Sequence, residues 1–196
     1  MALDPSFAQH AAEVPASAPS PGHGATTVGD VVVELVGFAR DDAADRTMLG
    51  GAVKIGHDAG RWHLRLAVKA LGRAIPVHCR GERAKGNRDP IVCEIGEGGV
   101  AGAITLTDRG RHGGTIRLHG DDAILRPAQT LLGVGYGGAY VEHAGAIEAA
   151  IDTRKLAEPH VWVARELAPE RRAMVLGVLG VLHVVVSRVD TQPDPE

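Results

Sequence analysis

The run Ala173–Val186, AMVLGVLGVLHVVV, carries no charge over fourteen residues, and Arg171-Arg172 and Ser187-Arg188 close it on either side. As a helix, at about 1.5 Å per residue, it reaches roughly 21 Å, short of a hydrocarbon core of about 30 Å. Extending it would bury arginines, and His183 already interrupts it, so no membrane span is expected. As a strand it would be long, and Gly177 and Gly180 would weaken its middle. A helix over about 169–187 fits best, because Pro169 suits a first helical position and Glu170 favours the positive helix end. Such a helix is apolar around its whole circumference, which an ordinary surface helix is not. Met174, six valines and three leucines each contribute about 1.5–3 kcal/mol when buried. The two glycines cost about 1 kcal/mol apiece. Burial wins if something surrounds the helix on every side.

The preceding residues can supply that enclosure. From residue 31 the pattern is strand-like: 31–38, 51–56, 61–70, 73–79, 90–96, 100–107, 114–120 and 123–127 are short and rich in β-branched residues. In 61–70, Trp62, Leu64, Leu66 and Val68 alternate with His63, Arg65, Ala67 and Lys69, a period-two stretch with one apolar face. Turn residues recur between the runs, as at His57-Asp58-Ala59-Gly60 and Gly120-Asp121-Asp122. Spacing of this kind indicates an all-β barrel or sandwich with hairpin connections. The region 133–158 is ambiguous: its second half reads as strand or short helix, since Ile147 and Ile151 are four apart. HVWVAREL at 160–167 reads again as strand. The expected fold is therefore mainly β, an antiparallel closed or nearly closed barrel of about 10–12 strands around one buried C-terminal helix. Gly177 and Gly180 then mark a close approach of helix to strands. Residues 1–28, dominated by Ala, Pro and Ser, read as a flexible arm that orders on a partner at most, and 189–196 as a polar tail.

Many antiparallel strands followed by HVWVAREL and then LAPERRAMVLGVLGVLHVVVSR (167–188) resemble the tubby-like β-barrel shared by tubby proteins, phospholipid scramblases and LURP-one-related proteins. The resemblance covers roughly 30–188 and is one of element order. It implies a terminal helix threaded through the barrel and a mostly non-enzymatic protein, sometimes acting at membranes or on phosphoinositides.

Composition narrows the function classes. A formal charge of −3 argues against a general nucleic-acid binder, and 3% aromatic residues leave little with which to stack bases or sugars. The N-terminus, MALDPSFAQH, lacks the basic and apolar regions of a secretory signal, so a cytoplasmic protein is the simplest expectation. Cys79 and Cys93 are symmetric about Gly86, which makes them near cross-strand neighbours in a hairpin. In a reducing cytoplasm two free thiols are expected.

Four basic residues, Arg80, Arg83, Lys85 and Arg88, share a loop with Glu82 and Asp89, a net +2 suited to phosphates on an anionic membrane. Arg109, Arg111 and Arg117 form a looser second set. The ten histidines show no zinc-finger or HExxH spacing, so no metal is expected. Gly133-Val134-Gly135-Tyr136-Gly137-Gly138 fits G-x-G-x-x-G, but that fingerprint needs a strand before it and a helix after it. A bulged barrel strand is the simpler reading. No catalytic constellation and no cofactor site emerges. The expectation is a non-enzymatic binding or assembly module, working through protein contacts, including self-association, or an anionic lipid surface. The alternatives are a structural subunit with an ordered arm, and a small-molecule or metal-dependent enzyme of unknown reaction.

Overall fold

The computed structural model describes residues 3–18, 24–42, 46–48, 53–55, 60–84, 87–88, 90–107, 113–129, 136–154 and 158–190. Helix α1 (Pro5–His10) leads into strands β1 (Ala11–Val14), β2 (Ala25–Val28), β3 (Val31–Asp42), β4 (Arg46–Met48), β5 (Val53–Ile55), β6 (Gly60–Ala70), β7 (Arg73–Ala84) and β8 (Asn87–Arg88). Then come β9 (Ile91–Ile95), β10 (Gly102–Thr107), β11 (Gly113–Leu118), β12 (Asp121–Gln129), β13 (Tyr136–His143), β14 (Ala146–Asp152), β15 (His160–Ala164) and α2 (Pro169–Asp190).

Twelve strands follow one continuous path, β1-β15-β14-β13-β12-β11-β10-β9-β7-β6-β3-β2, with β8 paired to β7 and β4–β5 a separate hairpin. The pairings along the path are antiparallel, as connections by short hairpins require. The two edge strands meet just beyond β1. Ala16 bridges Val28, the Gly29 N–H donates to the Pro15 carbonyl at 2.7 Å, and the Ser17 N–H donates to that of Thr27 at 2.9 Å. The sheet is thus a nearly closed barrel, stitched at its seam by the N-terminal segment.

The strand alternation seen at 61–70 is borne out: Trp62, Leu64, Leu66 and Val68 are buried while Arg61, His63, Arg65 and Lys69 are exposed. Helix α2 lies within the sheet, against β2, β3, β6 and β14, and in it Leu179 is 0% and Val181 2% exposed. The enclosure that an all-round apolar helix demands is present. No helix among the described residues is long and apolar enough to cross a membrane.

A part-buried ion pair fixes the start of α2. The Arg171 guanidinium donates through Nε to both carboxylate oxygens of Glu148 on β14, at 3.1 and 2.9 Å, and Nη2 lies 2.8 Å from Oε2. His143 Nδ1 approaches the same carboxylate at 3.3 Å.

Several expectations need correcting. The described part of 1–28 is not a free arm. Asp4 caps α1 by accepting from the Ser6 and Phe7 N–H groups, β1 pairs with β15, and β2 pairs with β3. Phe7 is buried outside the barrel against Tyr140, edge to face at 6.5 Å. The segment reads as a flexible arm because it lacks a period, yet its few apolar residues fall where the sheet needs an edge partner. Cys79 and Cys93 are direct register partners on β7 and β9, both buried, and they are joined as a disulfide rather than left as two thiols. The ambiguous stretch around 147–151 is strand β14. The turn at His57–Ala59 lies outside the described residues.

Candidate ligand chamber

Gly177 and Gly180 place α2 off the barrel axis. A Cβ added at Gly180 would lie 2.6 Å from Val33 Cγ2, and one at Gly177 would lie 3.1 Å from Val68 Cγ1. The helix backbone therefore presses on the wall formed by β2, β3 and β6, with β14 beside it. This is the close approach expected of the two glycines.

The consequence appears on the opposite side. Between α2 and the wall of β7, β9, β10 and β11 lies a chamber of about 610 Å³. Val77, Ile95, Ile104 and Leu118 line it from the strands, and Ala173, Met174, Gly177, Val178 and Val181 line it from the helix. Three exposed polar residues join this aliphatic lining: Arg73 at the start of β7, His119 just after β11, and Glu170 in the first turn of α2. These three come from the end of the barrel where α2 begins. None of their side chains makes a hydrogen bond or ion pair with another described residue. The neighbouring cations are engaged, Arg117 with Asp122 at 3.1 Å and Arg171 with Glu148.

Two hairpin turns build this mouth. Leu71-Gly72 joins β6 to β7 and His119-Gly120 joins β11 to β12, with positive φ at both residues of each turn (49° and 72°; 50° and 91°). Two-residue turns of this type suit the strand twist, and Asn, Asp or Gly usually stands first. Here the first residues are Leu and His, and both line the chamber.

Of the four basic residues singled out from sequence, Arg80 is the one whose side-chain surroundings the structure describes. Arg80 is exposed on β7 and pairs with Glu94 at 2.8 Å. The backbone register sets Arg83 opposite Arg88, and Lys85 lies outside the described residues. Arg80 borders a shallow outer depression of about 250 Å³ with His63, Arg65, His78 and Glu94. There Gly37, at a β-bulge, leaves room for the Arg65 guanidinium: a Cβ would meet Nη2 at 2.9 Å. Arg109 and Arg111 fall outside the described residues. Among the described residues no group of three or more His, Cys, Asp or Glu side chains could hold a metal. The glycine-rich stretch runs into strand β13 rather than opening a helix, so the dinucleotide fingerprint lacks its context.

Comparison with known protein families, curated proteins and solved structures found no match to this chain. The geometry of the chamber therefore carries the functional reading.

Proposed function

We propose that this domain is a non-enzymatic binding module that holds a small apolar molecule between α2 and the barrel wall. The chamber supports this reading on its own: about 610 Å³ falls within the roughly 300–1,000 Å³ of ordinary ligand pockets. Its lining is aliphatic, and its polar groups stand only at the mouth. An apolar guest would gain about 0.8 kcal/mol for each methylene removed from water. Among the described residues no nucleophile and base converge there, which favours holding a molecule over transforming it. The order of many strands ending in an enclosed helix also supports kinship with tubby-like barrels, which we carry as part of the proposal.

The test is titration of the protein with Nile red, an uncharged apolar dye. We expect saturable one-to-one binding with a blue-shifted emission. Ala173→Phe puts a ring into the chamber, and Val178→Phe does so from another position. Either variant should keep its circular-dichroism spectrum and lose the dye. A wild-type protein that leaves the dye emission unchanged would overturn the proposal.

A further inference from the structure

We infer that the chamber takes a single-chain amphiphile with an anionic head, its chain lying along α2 and its head at Arg73 and His119. This rests on the reading of the chamber as an apolar ligand site and specifies the ligand.

Shape gives the first argument. The helical residues that line the chamber run from Glu170 to Val181, about 16 Å at the helical rise. That is a length suited to one extended chain, with the deepest part against Val178 and Val181, both buried. Charge gives the second. Arg73 is a permanent cation with no carboxylate paired to it among the described residues. Glu170, the one acid among the described residues that line the chamber, stands in the first turn of α2, where the helix end already favours its negative charge. Arg73, exposed at the mouth, is thus a cation that no described carboxylate already pairs, and His119 lines the same chamber.

Backbone conformation gives the third argument. Leu71 holds φ at 49° while 54% exposed, next to Arg73 and in the chamber lining. A leucine gains nothing from the left-handed region or from water at that position. Its side chain does gain from covering an apolar chain where it leaves the chamber. His119 is held in the same left-handed region at the other side of the mouth. Three turns depart from the favoured Asn or Asp at their first position, Ala144-Gly145 between β13 and β14 being the third, and at two of them the first side chain lines the chamber. Strain kept at a binding site in this way has a functional reading.

The experiment displaces Nile red from the full chain with octanoate, decanoate and dodecanoate, and with the alcohols and amines of the same lengths. Within the acids, each added methylene should tighten binding about fourfold until the chamber is full. Dodecanoate should bind at least about tenfold more tightly than dodecanol, the worth of one charge-assisted hydrogen bond. Arg73→Gln should erase the preference for the acid while leaving the alcohol unchanged. Leu71→Asn should raise the melting temperature, because Asn suits the turn, and yet weaken every chain. If the dye binds but acid and alcohol compete equally, or the amine competes best, the anionic head is overturned and the apolar chamber stands. If Leu71→Asn leaves affinity intact, the covering role of that residue is overturned. If the dye itself fails to bind, both this inference and the reading beneath it are overturned.

Discussion

His183 stands inside the barrel, 0% exposed, with both ring nitrogens lacking a hydrogen-bond partner among the described residues. Burial disfavours the charged ring and pushes its pKa from 6.5 down to about 4. The folded chain therefore keeps a neutral imidazole in a window where the unfolded chain takes up a proton. Stability is complete above pH 6.5 and falls as the pH drops from 6.5 towards about 4. At pH 4.5 this group alone should cost about 2–3 kcal/mol relative to pH 7.5. Urea unfolding of wild type and His183→Leu at the two pH values measures it: the variant should lose markedly less stability on acidification. Equal losses would assign the acid sensitivity to other groups. The sequence shows His183 within an apolar run but not whether its nitrogens find partners, because those would come from strands distant along the chain. The chamber mouth is hidden for the same reason. Arg73, His119 and Glu170 are separated by tens of residues, and only the closing of the sheet sets them around one opening. A charge-rich loop such as 80–89 draws the eye in a sequence precisely because it is local.

At the scale of elements, the balance between helix and wall rests on two glycines that look alike in the sequence. Alanine gains about 1 kcal/mol of helix propensity over glycine at either position. At Gly180 the new Cβ would meet Val33 Cγ2 at 2.6 Å, on a β-branched side chain of the tightly packed wall. Overpacking of that kind costs about 1–3 kcal/mol, so Gly180→Ala should lower stability by about 1 kcal/mol and shift α2 towards the chamber. At Gly177 the nearest atom, Val68 Cγ1, lies at 3.1 Å, and Val68 itself borders the chamber and has space to give. Gly177→Ala should be neutral or slightly stabilising. Chemical denaturation of the two variants decides the matter, and a reversed order would remove the account of the off-axis helix. The sequence made the helix legible through its unbroken apolar run and β6 through its strict alternation. It made β14 ambiguous, because Ile147 and Ile151 satisfy either period, and pairing with β13 and β15 resolved it. That a helix pressed to one side leaves a chamber on the other depends on ångström-scale contact, which residue pattern does not encode.

At the scale of the whole molecule, closure depends on the part of the chain with the weakest pattern. The segment 11–17 pairs with β15 on one side and meets β2 on the other. Alanine, proline and serine in that segment give no alternation to read, so the seam is invisible until both neighbouring edges are known. Without the segment the barrel becomes an open sheet with two edges, and α2 loses part of its cover near Val14, which belongs to the core. Exposed edges with unpaired N–H and C=O groups recruit other strands. The loss of Phe7 also uncovers Tyr140 on the outer face. Deletion of residues 1–17 should therefore lower the melting temperature and make the sedimentation coefficient rise with protein concentration beyond any rise in the full chain. A milder variant separates the seam from the outer packing. Phe7→Ala removes about 3–5 kcal/mol of buried aromatic packing at most while leaving the edge pairing in place. It should reduce stability without adding concentration dependence. If the deletion matches Phe7→Ala in both measurements, the N-terminal segment acts through Phe7 alone and the strand edges need no partner.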